Sequence, residues 1–181
     1  MEKKILNDFC FHKPKTLDEA LVLIDKYQEN GLLMEGGSEV IPNMKSLVVT
    51  PDHIISLKHI PEFDYLKYIP GEGLHIGPSC TLTKVEYDPD VQTVYPSLYM
   101  GVHGMSNTNI HNISTVTGNI CYAVPSADTA APLLTLNAEL SVKSVDGERK
   151  VPITELFAGV RRTTLKKNEI VTDIFVPQPD P

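Results

Sequence analysis

Three apolar residues, Leu32-Leu33-Met34, run directly into Glu35-Gly36-Gly37-Ser38. An apolar run this short reads as a buried strand, and two glycines behind it turn the chain through backbone angles that side chains resist. Ser38 then stands where a helix N-cap is wanted, ahead of a brief helix to Met44. Pro42 is tolerated there because first-turn amides have no internal partners. A second strand follows at His53-Ile54-Ile55-Ser56-Leu57. Upstream, Thr16-Leu17-Asp18-Glu19 is a capping box, and Leu17, Ala20, Leu21, Ile24 and Tyr27 share one helical face that Gly31 ends. Helix, strand, glycine turn, helix and strand build a small α/β lobe, expected over 1–60.

The remainder, 61–177, is expected to form a larger mixed-sheet lobe, making the fold α+β. Strands at 65–69 and 74–76 flank Pro70-Gly71-Glu72-Gly73, a hairpin signal. A second hairpin joins 139–144 to 150–153 around Asp146-Gly147, and 170–176 is a last strand. Short helices are expected from Thr83 up to Pro89 and again after Pro96. A longer one at 126–138 would bury Ala127, Ala130, Ala131, Leu134 and Ala138. The stretch 101–119, rich in glycine and asparagine, reads as loop. The alternate prolines after Val176 read as a boundary at 178–181.

Several functions are excluded early. With 181 residues, 41% of them hydrophobic, the chain can bury a core that needs no disulfide or metal staple. A net charge of −7 disfavours phosphate-based nucleic-acid binding and docking on anionic lipid. No apolar run approaches the ~20 residues of a membrane span, and the N-terminal segment has no secretory apolar stretch. Cys10, Cys80 and Cys121 are scattered, which suits a reducing cytoplasm; Cys80 and Cys121 read as small core fillers. The six histidines show no metal-ligand spacing, so no metal site is expected. Gly71-Glu72-Gly73-Leu74-His75-Ile76-Gly77 has its third glycine one residue late for a dinucleotide turn, and a hairpin explains it. There is no phosphate loop of the Walker type, no nucleophile elbow and no visible acid–base pair, hence no catalytic side chain.

Two segments carry chemistry. Met34 to Glu39 delivers backbone amides to one point, a geometry that cradles an anion without net positive charge; an ordinary strand-to-helix turn is the alternative. The second segment is Ile110-His111-Asn112-Ile113-Ser114-Thr115-Val116-Thr117-Gly118-Asn119, continued by Ala123-Val124-Pro125-Ser126-Ala127-Asp128. Small and hydroxyl residues let backbone approach a flat ligand closely. Asp128, expected in the first turn of a helix, either complements the helix dipole or accepts ribose hydroxyls.

Together these segments resemble the FAD-binding domain of the molybdenum hydroxylases, the family of xanthine dehydrogenase and of the medium subunit of carbon monoxide dehydrogenase. Its first motif, Ala-Gly-Gly-Thr/Ser-Asp/Glu, is matched by Glu35 to Glu39. Its second, ending Gly-Gly-Asn, is matched by Ile110 to Asn119. The third is matched by Ala123-Val124-Pro125-Ser126-Ala127-Asp128, then Leu133-Leu134 and Leu136-Asn137-Ala138. Weaker patterns at 9–20, 74–81 and 169–177 complete an ordered match over almost the whole chain.

The resemblance implies a two-lobed fold of the carbon monoxide dehydrogenase flavoprotein type with FAD between the lobes. Glu35, Gly36, Gly37, Ser38 and Glu39, behind Met34, would lie along the pyrophosphate. Thr115, Thr117, Gly118 and Asn119 would lie near the isoalloxazine or pyrophosphate, Asp128 at the ribose, and Met105 and Val171 as apolar flavin contacts. It further implies 2Fe-2S and molybdopterin partner subunits in a hetero-oligomer, NAD+ or another acceptor, and a further C-terminal domain beyond Pro177. The chain departs from the pattern at Glu35 for Ala, Thr117 for Gly, His111 for Arg and Ser114 for Gly or Ala. Glu35 is expected either to point away along the strand or to weaken pyrophosphate binding. Thr117 would cost at least ~1 kcal/mol if its backbone needed a positive φ. A flavin-free assembly module that kept the fold is the alternative function.

Overall fold

A computed structural model describes residues 6–179. Asp180 and Pro181, the end of the expected boundary segment, lie outside them.

The smaller sheet is parallel. It comprises β1 (Cys10–His12), β2 (Gly31–Met34) and β3 (His53–Ser56), in the order β1-β3-β2. Helix α1 (Leu17–Lys26) links β1 to β2 and buries Ala20, Leu21 and Ile24. Its cap is half of the expected box. Thr16 Oγ1 accepts from the Glu19 amide at 3.2 Å, but the Glu19 carboxylate reaches one residue further back, to the Lys15 amide at 2.7 Å. Helix α2 (Val40–Lys45) links β2 to β3. Ser38 does not cap it: Glu39 is the N-cap residue, in helical backbone and without a side-chain cap bond. Two 3-10 turns, Leu57–His59 and Pro61–Phe63, lead to the second lobe.

There, the sheet is antiparallel throughout rather than mixed. It holds β4 (Leu66–Ile69), β5 (Gly73–Ile76), β6 (Glu139–Ser144), β7 (Gly147–Pro152) and the strand Ile170–Pro177, which enters between the two hairpins. Helices α3 (Leu82–Tyr87), α4 (Pro89–Val94) and α5 (Pro96–His103) follow β5. Pro89 and Pro96 each end one helix, by forcing the preceding residue out of the helical region, and open the next at a position whose amide needs no partner. Helices α6 (Thr108–His111), α7 (Val116–Tyr122) and α8 (Ala130–Thr135) precede β6. Helix α9 (Ile153–Leu156) and a small hairpin of β8 (Phe157–Gly159) and β9 (Arg162–Thr163) follow β7, so the strand Ile170–Pro177 is β10.

The expected helix over 126–138 is only α8. In a longer helix, Pro132 would clash with the carbonyl four residues earlier; in α8 it sits in the first turn. Ala131 is therefore exposed, and Leu133 is buried instead.

The larger core packs Leu74, Ile76, Leu140 and Ile174 of the sheet against Tyr95, Leu98 and Leu133 of the helices. Each such side chain contributes about 1.5–3 kcal/mol. A second cluster gathers α1 residues with Ile55, Ile60, Phe63 and Ile170. Strand β10 thus serves both cores.

Candidate functional site

The two informative segments meet across the lobes. After β2, Gly36 lies against the backbone of Ile113: a Cβ at Gly36 would stand 1.8 Å from the Ile113 carbonyl oxygen. Gly37 follows with φ +73°, accessible to glycine at little cost. The Ser114 hydroxyl donates to Ser38 Oγ at 2.8 Å. From α2, the Asn43 amide donates to the Tyr122 hydroxyl at 3.0 Å.

The 101–119 segment is not an extended loop. It forms α6 and the start of α7, capped by Thr115, whose Oγ1 accepts from the Gly118 amide at 3.0 Å. Ser114 is fixed from the other side, its carbonyl accepting from the Leu82 amide at 2.9 Å. The Val116 and Thr117 amides, in the first turn of α7, have no intrahelical partner. Thr117 is helical, so the positive-φ cost does not arise. Its side chain is buried, and among the described residues its hydroxyl has no hydrogen-bond partner. Asn119 lies in α7 with its Oδ1 accepting from the buried Thr129 hydroxyl at 2.5 Å. Asp128 stands two residues ahead of α8 rather than inside its first turn, and is exposed.

Between the lobes runs a cleft of about 720 Å³. Met34, Glu35, Gly36, Gly37, Ser38 and Glu39 form one wall; Met105, Thr115, Thr117, Gly118, Asn119, Asp128 and Val171 line the other. The structure therefore brings every sequence-predicted site residue to one cavity. It adds residues that the sequence did not single out for the site. Ser114 ties the walls together, and Lys166 and Glu169 line the far end.

The pattern of charges explains how these walls are held. Glu169 is buried and takes Arg149 through Nε and Nη2, both at 2.8 Å, and the Lys166 amide at 2.7 Å. The Arg149 hydrogen bond holds the Glu169 carboxyl below the usual range. Across the same end, Lys167 pairs with Glu29, and the Asn168 amide donates to Asp25 at 3.0 Å. His111, in place of the family's Arg, ties its Nε2 to the Met105 carbonyl at 2.6 Å and its Nδ1 to Glu86 at 2.8 Å. Glu86 also takes His103 at 2.8 Å.

Glu35 borders the cleft, and its carboxyl is turned to Ser79. Its carboxylate accepts from the Ser79 hydroxyl at 3.0 and 2.9 Å. Burial pushes it up to about 7; the Ser79 hydrogen bond and Lys58 oppose that rise, and Asp64 adds to it. Cys80 is a core filler as expected; Cys121 packs against the same core and also lines the cleft, with its thiol pushed up to about 12 by burial. A thiol held that high stays protonated and is no nucleophile at neutral pH.

Comparison with known proteins follows this geometry. The family model described as the FAD binding domain in molybdopterin dehydrogenase matches residues 7–179. The nicotinate dehydrogenase FAD-subunit of Eubacterium barkeri is 29% identical over 179 residues, covering 97% of this chain and 60% of the relative. The xanthine dehydrogenase FAD-binding subunit of Escherichia coli O157:H7 is 31% identical over 175 residues, covering 95% of this chain and 59% of its own length. A carbon monoxide dehydrogenase chain from Hydrogenophaga pseudoflava superposes with a TM-score of 0.93 at 28% identity, over 97% of this chain and 61% of that one. This chain thus spans about three-fifths of the length of these relatives.

Proposed function

The chain belongs to the family of FAD-binding domains of molybdopterin dehydrogenases; from that premise we propose that it holds FAD in the cleft between its lobes, as the flavin component of a molybdenum hydroxylase. The observation that carries this reading is the meeting of the two walls, where backbone lies on backbone at Gly36 and Ile113 beside an open cavity of about 720 Å³. A cavity of that size is within the usual range for small-molecule sites.

The residues present fit the cofactor. A Cβ at Gly36 would strike the Ile113 backbone, so only glycine lets the 36–38 turn close on the 110–114 segment beside the cleft. Among the described residues the buried Thr117 hydroxyl lacks a partner, as a group awaiting a ligand would. Met34, Met105 and Val171 supply apolar surface.

Bound FAD would supply redox chemistry, taking electrons singly from 2Fe-2S clusters on a partner subunit and passing them to NAD+ or another acceptor. The chain's own residues have placement and electrostatics to provide. Amides around Gly36–Ser38 and in the first turn of α7 offer donors to a pyrophosphate. Asp128, at the cleft rim, would accept ribose hydroxyls. Met105 and Val171 would offer apolar surface to the flavin and exclude water there, with Met105 positioned through His111. None of these side chains needs to act as acid or base. Substrate oxidation belongs to a molybdopterin subunit, and the proposal includes a hetero-oligomer in the cytoplasm.

The test is the visible spectrum of the purified protein after incubation with FAD and gel filtration. Retained flavin bands near one cofactor per chain support the reading. Colourless protein, even after addition of FAD, supports the flavin-free assembly module instead.

A further inference from the structure

Glu35 follows directly on β2 in the lining of the cleft, one residue ahead of Gly36, with its carboxyl turned to Ser79. Both of its oxygens lie within reach of the same donor, the Ser79 hydroxyl, at 3.0 and 2.9 Å. A hydroxyl has one proton to give, whereas a carboxylate offers about four acceptor sites. The ionised group is therefore short of donors, and among the described residues it forms no ion pair.

The charged groups that face it are divided. Lys58, from the 3-10 turn Leu57–His59, favours the anion. Asp64, just after Pro61–Phe63, opposes it, and is itself paired with Lys84 of α3 at 2.6 Å. The adjacent Cys80 thiol, pushed up to about 12 by burial, contributes no charge near neutrality. Burial outweighs these and lifts the carboxyl to about 7, where a small additional push changes its protonation. A pyrophosphate set against 36–38 would bring about two further negative charges to this wall, and in a half-buried setting like charges disfavour a second anion.

We propose that Glu35 couples cofactor uptake to a proton: the cleft takes in FAD together with one proton from solvent, which binds the Glu35 carboxylate and makes it a neutral acid. The neutral carboxyl no longer repels the phosphates, and its O–H becomes a donor to Ser79 Oγ. This inference rests on the reading of Glu35 to Glu39 as the pyrophosphate wall.

FAD carries fixed charge between about pH 5.5 and 8.5, so it can be titrated into the protein across that range with flavin fluorescence as the signal. Affinity should be about fivefold weaker at pH 8 than at pH 6 for one pKa unit of coupling, the full tenfold being spread over a wider pH range. Glu35→Gln should bind at pH 8 as tightly as wild type does at pH 6, with a flat profile. Calorimetry in two buffers of different ionisation heat should find up to about half a proton taken up per FAD near pH 7 in wild type, because the free carboxyl is already about half protonated there, and none in Glu35→Gln. Ser79→Ala, which removes the donor that favours the anion, should shift the midpoint of the pH profile upward, and it tests the coupling independently should Glu35→Gln misfold. A pH-independent wild-type affinity, or a Glu35→Gln profile that keeps the wild-type slope, overturns the coupling while leaving FAD binding intact. Absence of FAD binding at every pH overturns the cofactor reading, and the coupling with it.

Discussion

A methyl group at Gly36 would stand 1.8 Å from the Ile113 carbonyl oxygen and 2.5 Å from its carbon, backbone atoms that cannot swing aside. Gly36→Ala must therefore push the two cleft walls apart. Overpacking of this kind costs about 1–3 kcal/mol, and the displaced 36–38 turn should weaken FAD binding at least ~10-fold; a urea melt and a flavin titration on the same variant check both. Thr117 points to the opposite sign. Its buried hydroxyl is unpaired among the described residues, and burying such a group costs about 1–3 kcal/mol. Thr117→Val keeps the shape and removes the hydroxyl, so without FAD it should raise Tm by about 2–4 °C for each kcal/mol recovered; an unchanged or lower Tm in a thermal melt would show that the hydroxyl is satisfied. At this scale the sequence was legible for identity but not for setting. Glu35 and Thr117 stand out as departures from a pattern, yet their settings depend on Ser79, far from Glu35 in the chain, and on the helical winding of α7 around Thr117.

Elements divide along similar lines. Strands β2 and β3, both large-sheet hairpins and the Thr16 cap could be read because apolar runs, turn residues and a capping hydroxyl lie within a few residues of one another. Helix α7 could not: Thr117, Gly118 and Asn119 have weak helix propensity, and only the Thr115 cap and packing of Val116 and Ile120 into the core make the turn helical. Strand β1, only three residues long, and the β8–β9 hairpin are too short to show a period. The segment before β10 owes its place to a pair no spacing reveals, Glu169 with Arg149. Its carboxyl is held below the usual range by that partner, so the stabilisation is full above the ordinary carboxylate pKa of about 4.3 and is lost as pH falls through the lowered value. Glu169→Gln should cost about 2–3 kcal/mol at pH 7, less than a fully buried pair because Arg149 is partly exposed. In acid unfolding the gap between variant and wild type should close as pH drops below about 4. A gap that persists to the acid limit would assign the loss to packing rather than charge.

For the molecule as a whole, the decisive residue is Ile170. It is fully buried in the cluster around α1, while Ile174 and Val176 of the same strand are buried in the large core. One strand therefore enters both hydrophobic clusters, and neither can dissolve without fraying β10. Ser38 with Ser114, Asn43 with Tyr122 and Asn168 with Asp25 add polar ties across the same cleft. Lobes joined this way should unfold together, in one calorimetric transition whose van't Hoff and calorimetric enthalpies agree. FAD, gripped by both walls, should raise that transition without splitting it, by about 2.7 kcal/mol at a concentration 100 times its Kd. Ile170→Ala removes the shared anchor. Loss of a buried Ile costs about 2–5 kcal/mol, and because the loss falls where the lobes join, the variant should show two resolved transitions and bind FAD more weakly. A single transition at lower temperature with wild-type FAD affinity would mean that the polar ties, not β10, hold the lobes in register.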